Sequence, residues 1–136
     1  KINYPKIAIS SLNPHAGEKG RIGREEIDII IPAIKYLRRN NINVIGPLPA
    51  DTLFNKDNLK EYDARLCMFH DQALIPIKTL DFFNGVNFTS GLSFIRTSPD
   101  HGTAFNISGK NIANPSSLIS SIKQAKIIAK NRQSYG

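Results

Sequence analysis

Short apolar runs alternate with longer amphipathic segments along this chain, and this alternation restricts the fold more than any other feature. The apolar runs predict strands over residues 6–11, 42–45, 64–69, 86–89 and 94–97. Apolar residues recur at helical spacing over residues 25–40 and 116–132, and residues 72–80 are also predicted to be helical, with Pro76 disturbing that helix. Strands and helices that alternate through short connections are typical of an α/β layered fold, which is the fold class that we predict.

Local signals refine three of these elements. Pro32 lies inside the first predicted helix and predicts a kink there, because proline cannot donate a backbone hydrogen bond. The run over residues 64–69 is continuous rather than alternating, which predicts a strand covered on both faces. Gly46 and Pro47 predict a turn that ends the second strand.

Composition limits the classes of function. The chain has 136 residues, and no apolar run approaches the roughly 18 residues that a membrane span needs. The net charge of +7 would suit nucleic acid, but the basic residues spread over helix faces and do not alternate with aromatic residues. We therefore expect no nucleic-acid or membrane partner.

The single cysteine, Cys67, fits a reducing cytoplasm. The chain opens at Lys1 and its one methionine is Met68, so we expect that a natural N-terminal part is missing.

Polar residues that could carry chemistry follow the predicted strands. In open α/β sheets, the loops after the carboxyl ends of the strands form the ligand crevice. Five such residues lie in these loops: His15, Asp51, His70, Asn87 and His101. Two or three of the histidines could supply neutral imidazoles to a divalent metal, with Asp51 or Asp71 nearby. The alternative is that they are hydrogen-bonded loop histidines.

Lys78, Asn87 and Arg96 form a second candidate set in the middle of the chain. Lysine supplies a point charge and arginine a bidentate fork, which together suit a phosphate or a carboxylate. The alternative is that each of the three is an ordinary surface residue. The glycines over residues 102–110 match neither the G-x-G-x-x-G motif nor a Walker A loop.

Four motifs occur here in one order and carry a resemblance to a known family. They are Asn13-Pro14-His15-Ala16-Gly17-Glu18, Gly46-Pro47-Leu48-Pro49-Ala50-Asp51-Thr52, Phe69-His70-Asp71-Gln72, and FIRTSPDHGTA over residues 94–104. Together they closely resemble the 4-hydroxythreonine-4-phosphate dehydrogenase family of vitamin B6 synthesis, over residues 6–130. Residues 101–115 are also similar to the adenosine-binding stretch of isopropylmalate and isocitrate dehydrogenases. The resemblance implies a three-layer αβα fold of that dehydrogenase type, with residues 1–136 as a single α/β unit in the C-terminal part of a two-domain enzyme.

The resemblance also assigns metal ligands. His15 and His70 match two of the three histidines that hold the family's divalent metal, and the third would lie upstream of Lys1. Asp51 matches an aspartate near that metal, which implies a supporting catalytic role. Zinc, magnesium, manganese or cobalt would suit such a site.

Substrate and cofactor contacts are implied in the same way. Lys78, Asn87 and Arg96 match the family's contacts to its phosphorylated substrate. The residues assigned to the NAD or NADP cofactor are His101, Gly102 and Asn106.

The implied activity is the NAD- or NADP-dependent oxidation of 4-phosphooxy-L-threonine to a 2-amino-3-oxo acid, which then decarboxylates to 3-amino-2-oxopropyl phosphate. The family is a cytoplasmic homodimer with its active site at the subunit interface, so residues 1–136 alone are expected to be inactive. One alternative is a paralogue that oxidises a phosphorylated sugar acid such as threonate or erythronate 4-phosphate. The others are a non-catalytic anion- or nucleic-acid-binding module and a metal-dependent hydrolase.

Overall fold

The computed structural model describes residues 2–135, and the chain divides along its sequence into two compact units, Lys1–Pro76 and Ile77–Gly136. The first unit holds a parallel three-stranded sheet, and the second holds an antiparallel two-stranded sheet. The architecture is therefore mixed α/β, as the alternation of strands and helices predicts. The sequence predicts one α/β unit over residues 1–136 within a two-domain enzyme, and that domain organisation stays a prediction.

The first unit is built around the central strand of its sheet. Its elements in chain order are β1 (Ile7–Ser10), a turn over Pro14–Gly20, a π-helical turn over Glu26–Ile30, α1 (Ile31–Arg39), β2 (Val44–Leu48), α2 (Asn58–Glu61), β3 (Ala64–Leu66) and the start of α3 (His70–Leu80). The strand order is β2-β1-β3, and β1 runs parallel to both neighbours. Ile7 of β1 pairs with Val44 on one side and with Ala64 on the other.

β1 is buried on both faces of the sheet. Successive residues of a strand point to opposite faces, and two consecutive residues of β1 belong to different buried clusters. Ile9 belongs to one apolar cluster and Ala8 to another. The clusters contain Ile9, Ile30, Ile34 and Val44 in the first case, and Ala8, Leu53 and Tyr62 in the second. This buried strand anchors the segment after Ser10, which leads to the first predicted histidine.

In the first unit, two strand predictions differ most from the structure, and both concern strands at the edges of its sheet. β2 continues through Gly46 and Pro47 to Leu48, where a turn was expected, since an edge strand tolerates a residue that cannot donate a ladder hydrogen bond. A Cβ on Gly46 would lie 2.5 Å from the carbonyl oxygen of Ile9, so glycine permits the close approach of the two strands. β3 ends at Leu66, which is 50% exposed, so the prediction of a strand covered on both faces is wrong.

Pro32 disturbs the first helix, as its position predicts. Upstream of it, the backbone N–H of Ile31 donates to the carbonyl of Glu26, five residues earlier, in a π-helical turn. The proline ring crowds the carbonyl four residues before it and cannot donate to that group, so the regular helical ladder is interrupted at this point. Glu26, the first residue of the π-helical turn, is only 2% exposed.

The second unit packs one long helix on a two-stranded sheet. It contains the end of α3, β4 (Val86–Thr89), β5 (Arg96–Pro99), a short 3-10 turn (Phe105–Ile107) and α4 (Ser116–Tyr135). Asn87 pairs with Ser98, and Thr89 pairs with Arg96, across the antiparallel ladder. β4 has its predicted bounds, whereas β5 begins two residues later than predicted because its pairing with β4 starts at Arg96.

α4 is joined to the strand segments by hydrogen bonds at Ser117 and Ser121, and three apolar residues of its predicted stripe, Ala125, Ile128 and Ala129, are half-buried. Ser117 Oγ donates to the carbonyl of Gly85 at 2.8 Å, and Thr97 Oγ1 donates to the carbonyl of Ser121 at 3.0 Å. The apolar stripe is exposed at three positions, Leu118, Ile119 and Ile122. Among the helices within residues 2–135, none combines the length and the apolar character that crossing a bilayer requires.

Candidate functional site

The first predicted histidine lies on a turn with an uncommon backbone. His15, Ala16, Gly17, Glu18 and Lys19 all have positive φ angles, between 43° and 75°, so the turn is left-handed. Each non-glycine residue in this conformation costs about 1–2 kcal/mol, so the four here need support from the surrounding structure. Backbone strain of this kind is concentrated at functional sites.

A buried carboxylate, Glu26, supports the entry to this turn. Its Oε1 accepts hydrogen bonds from the backbone N–H groups of Leu12 and Asn13 at 2.8 and 2.7 Å, and its Oε2 accepts one from Asn13 Nδ2 at 2.9 Å. A Cβ on Gly17 would lie 2.7 Å from Oε2, so the turn packs directly on the carboxylate. Burial raises the pKa of Glu26, but the hydrogen bonds together lower it by more, and the pKa is below its ordinary value.

The left-handed turn pairs His15 with Glu18. His15 Nδ1 lies 2.8 Å from Glu18 Oε1, so Nδ1–H donates to the carboxylate and Nε2 carries the lone pair that a metal would need. The hydrogen bond and the charge of Glu18 raise the pKa of His15 and outweigh the lowering by burial. The charge of Asp51 also raises the pKa of His15, by less than Glu18 does.

The second predicted histidine, His70, is the first residue of α3 rather than part of a loop. Its Nδ1 lies 2.8 Å from Asp71 Oδ1, so this imidazole also presents Nε2. The two histidine side chains are 66% and 78% exposed for His15 and His70, respectively, and both are therefore accessible to a ligand.

Gln72 supports the segment that leads into His70. Gln72 Oε1 accepts hydrogen bonds from the backbone N–H groups of Met68 and Phe69 at 3.1 and 3.2 Å. Gln72 Nε2 donates to the carbonyl of Ser11 at 3.0 Å. One side chain thus ties the start of α3 to the end of β1, and the segment at Ser11 continues to the turn that carries His15.

The two imidazoles suit a divalent metal in their chemistry. Each has its Nδ1 bonded to a carboxylate, the arrangement that orients histidine ligands in metal sites and selects their tautomer. Within residues 2–135, no three His, Cys, Asp or Glu side chains gather closely enough to hold a metal ion. The resemblance gives this chain only two histidine ligands, so the assignment of His15 and His70 to a metal stays a prediction.

Two of the three predicted substrate residues share one face of the sheet in the second unit. Residues opposite each other in an antiparallel pair project to the same face, and so do residues two apart along a strand. Asn87, which lies within β4 rather than in a loop, and Arg96 are therefore on the same face, diagonally across the ladder. Arg96 Nη1 donates to Thr89 Oγ1 at 2.8 Å, which holds the guanidinium along that face.

Lys78, the third predicted substrate residue, is held by Asp100. Its ammonium donates to the backbone carbonyl of Asp100 and lies 3.5 Å from the Asp100 carboxylate. Asp100 directly follows Pro99, which pairs with Val86, the neighbour of Asn87 in β4. The Lys78 ammonium therefore lies at the end of the ladder that also carries Asn87, and a substrate anion would compete with Asp100 for it.

A cavity of about 990 Å³ opens in the second unit beside the loop that follows β5. Its lining consists of Phe82, Phe83, His101, Gly102, Thr103, Ala104, Ile107, Ser108, Gly109, Asn111, Ala113, Asn114 and Ser117. His101 and Gly102, two of the residues assigned to the cofactor, are in this lining, whereas Asn106 is not. Two aromatic rings, a histidine and two side-chain amides in a cavity of this size suit a nucleoside, and the cofactor assignment itself stays a prediction.

Five residues that shape these sites were not predicted: Glu18, Glu26, Gln72, Thr89 and Asp100. Glu18, Gln72 and Asp100 lie inside the motifs that carry the resemblance, and those motifs could have indicated them. Glu26 and Thr89 lie outside those motifs, and only the fold brings them to Asn13 and Arg96.

The lowered pKa of Glu26 predicts a pH dependence of stability. The hydrogen-bonded form is the carboxylate, so Glu26 stabilises the fold above its ordinary pKa of 4.5, and this contribution is lost as the pH falls through the lowered pKa. The free energy of unfolding of Glu26→Gln should differ most from that of the wild type near neutral pH, and the difference should shrink below about pH 4. Urea titrations at a series of pH values measure it, and a difference that does not change with pH would contradict the assigned role of the carboxylate.

A family model described as "Pyridoxal phosphate biosynthetic protein PdxA" matches residues 1–125 of the chain. A Caulobacter vibrioides protein named 4-hydroxythreonine-4-phosphate dehydrogenase is 58% identical over 131 residues, which are 96% of this chain and 39% of that protein. A Zymomonas mobilis protein of the same name is 56% identical over 134 residues, which are 98% of this chain and 40% of that protein.

Solved structures agree with these relatives. The crystal structure of 4-hydroxythreonine-4-phosphate dehydrogenase from Klebsiella pneumoniae matches with a TM-score of 0.79 and 48% identity, over 91% of this chain and 38% of that one. A terephthalate 1,2-cis-dihydrodiol dehydrogenase from Burkholderia xenovorans matches with a TM-score of 0.67 and 35% identity, over 91% of this chain and 39% of that one. The chain spans about two fifths of the length of the curated relatives it matches. With a family match over most of its residues and high identity to named members, the chain belongs to the PdxA family of pyridoxal phosphate biosynthetic proteins.

Proposed function

We propose that the full-length protein, meaning a chain of the length of its relatives with these residues in its C-terminal part, is an NAD- or NADP-dependent 4-hydroxythreonine-4-phosphate dehydrogenase of vitamin B6 biosynthesis. It oxidises 4-phosphooxy-L-threonine to a 2-amino-3-oxo acid, which decarboxylates to 3-amino-2-oxopropyl phosphate. The observation that carries the proposal is the 58% identity over 96% of the chain to a protein of that name.

The proposal includes a fold and an assembly. The full-length protein has the three-layer αβα fold of the isocitrate and isopropylmalate dehydrogenases, and the burial of β1 on both faces supports such layering. It is a cytoplasmic homodimer with its active site at the subunit interface. The exposed apolar residues Leu118, Ile119 and Ile122 on α4 support the homodimer, because subunit interfaces bury apolar surface of this kind.

His15 and His70 bind the divalent metal through Nε2 in this proposal, with a third ligand from outside residues 1–136. When bound, the metal supplies Lewis-acid polarisation of the substrate hydroxyl and lowers the pKa of that group. Glu18 and Asp71 hold the imidazoles in the tautomer that binds metal. Asp51, whose charge acts on His15, is the supporting carboxylate near this site.

Arg96 and Lys78 bind the anionic ends of the substrate, and Asn87 adds an amide on the same strand face as Arg96. His101 and Gly102 bind the nucleotide in the cavity that they line, and Asn106, which is not in that lining, is the third cofactor contact of the proposal. The oxidation turns the substrate C–OH into C=O with loss of a proton and a hydride, and a bound nicotinamide would supply the hydride acceptor. Loss of carbon dioxide from the 3-oxo acid then follows.

Substrate profiling of the full-length protein tests the proposal. Formation of the reduced nicotinamide is followed by absorbance with 4-phosphooxy-L-threonine, threonate 4-phosphate and erythronate 4-phosphate, each with and without a chelator. We expect turnover of the first compound, and its loss after chelation. Turnover of a sugar acid alone would instead support a paralogue with a different substrate. The dihydrodiol dehydrogenase among the structural neighbours is an example of a similar protein that is named for a different substrate. No turnover, together with DNA binding that weakens steeply with salt, would support a nucleic-acid-binding module.

A further inference from the structure

We propose that Glu26 is a positioning residue for His15: its buried carboxylate holds the left-handed turn in the conformation that presents the imidazole to a metal. This inference rests on the proposed function, because it assumes that His15 is a metal ligand. It concerns a residue outside the motifs that carry the family resemblance.

The first step is that the conformation of the turn creates the His15–Glu18 pair. In a helical turn, side chains three residues apart lie on the same side, whereas in an extended loop they separate by about 10 Å. The left-handed backbone over His15–Lys19 therefore brings Glu18 Oε1 to 2.8 Å from His15 Nδ1. That hydrogen bond selects the tautomer in which Nε2 can bind a metal.

The second step is that different hydrogen bonds hold the two ends of the turn. Within it, the backbone N–H of Arg21 donates to the Glu18 carbonyl at 3.3 Å, and that of Ile22 donates to the Gly17 carbonyl at 3.1 Å. These bonds close the C-terminal end of the turn. The residues that enter the turn, Leu12 and Asn13, have their backbone N–H groups bonded to Glu26.

The third step is that Glu26 contacts the turn from both of its carboxylate oxygens. Oε1 accepts the two backbone N–H groups of the entry segment. Oε2 accepts a hydrogen bond from Asn13 Nδ2, and it is the atom closest to a Cβ built on Gly17. Any change that moves the carboxylate is therefore transmitted to the entry segment and to the middle of the turn at once.

The test uses cobalt(II) binding to the full-length protein, because the visible absorption of this ion reports the geometry of its ligands. Glu26→Gln keeps the volume of the side chain, but it replaces one carboxylate oxygen with an NH₂ group. A Gln that still accepts from the two backbone N–H groups would place this NH₂ against Asn13 Nδ2, which is itself a donor. We expect the cobalt Kd to rise by about tenfold, within the 10–100-fold range for lost outer contacts of metal ligands, and the visible band to shift.

The matched control is Asp28→Asn, two residues along the same helical segment. Asp28 is an exposed carboxylate that pairs with Arg24 at 3.0 Å and has no bond to the turn. We expect the cobalt Kd and spectrum of this variant to equal those of the wild type, since exposed ion pairs contribute little. Circular dichroism and thermal melts of all variants identify a temperature at which each is folded.

The outcomes are distinct for the proposed function and for this inference. If the wild type binds cobalt and His15→Ala abolishes binding, but Glu26→Gln retains the wild-type Kd and spectrum, the positioning role is wrong while the metal role stands. If His15→Ala binds cobalt as the wild type does, both are wrong. If Glu26→Gln does not fold, Asn13→Ala replaces it, because this variant keeps both backbone bonds to the Glu26 carboxylate and removes the bonds from Asn13 Nδ2 to Glu26 Oε2 and to Glu25 Oε2. Wild-type cobalt binding by a folded Asn13→Ala would then overturn the inference.

Discussion

Replacing His15 or His70 with alanine is expected to lower kcat/KM of the full-length protein by at least about a thousandfold. Each substitution removes an imidazole whose Nδ1 is bonded to a carboxylate and whose Nε2 is the nitrogen proposed to bind the metal. Metal polarisation of a substrate oxygen contributes several kcal/mol to transition-state stabilisation, and each 1.36 kcal/mol is a factor of ten in rate. Steady-state kinetics together with metal content of the purified variants measure the effect.

His101→Ala is the matched control for these two variants, because it removes the third histidine of the chain. His101 lines the cavity in the second unit, and its Nδ1 lies 3.0 Å from the carbonyl of Gly102. We expect this variant to keep its metal and to raise the KM for the nicotinamide cofactor. Turnover at the wild-type rate by His15→Ala or His70→Ala would remove that histidine from the metal site. Loss of metal from all three variants alike would point to a general structural effect.

Replacing Arg96 with alanine is expected to raise the KM for the phosphorylated substrate by about 10- to 100-fold, because a charge-assisted hydrogen bond contributes about 1.5–3 kcal/mol. The guanidinium lies on the strand face shared with Asn87 and is held there by Thr89. Arg96→Lys should recover only part of the affinity, since an ammonium keeps the charge but loses the bidentate fork. Substrate titrations of both variants at saturating cofactor give the two KM values.

Arg132→Ala provides the control for a lost arginine in the same unit. Its guanidinium donates to the backbone carbonyls of Leu92 and Ser93, in the loop between β4 and β5, at 3.4 and 3.5 Å. The KM of this variant is expected to remain within twofold of the wild type, a difference of about 0.4 kcal/mol. An unchanged KM in Arg96→Ala, or an equal increase in Arg132→Ala, would contradict the assignment of Arg96 to the substrate.

The elements of the fold follow closely from the sequence where the pattern is local. β4 has its predicted bounds, and the last helix starts at Ser116 as predicted. The predictions fail where an element depends on its place in the sheet. β2 runs through Gly46 and Pro47 because it is an edge strand, and nothing in four consecutive residues reveals an edge.

The start of α3 shows the same dependence on distant contacts. His70 was expected in a loop, but it opens the helix. The Gln72 side chain accepts hydrogen bonds from the backbone N–H groups of Met68 and Phe69, just before the helix. The same side chain donates a hydrogen bond to the carbonyl of Ser11, 61 residues away in the chain. A helix propensity calculated from neighbouring residues cannot include the hydrogen bond between Gln72 and Ser11.

Local apolar spacing and the order of four motifs were enough to indicate an α/β chain, its family and the residue types of its sites, because these properties reside in short stretches of sequence. Only the folded chain makes the left-handed turn at His15, the buried bonds of Glu26 and the shared face of Asn87 and Arg96. The reason is energetic. A strained turn and a buried carboxylate are each unfavourable alone, and they become stable only when the segment after β1 packs against Glu26 and each satisfies the other.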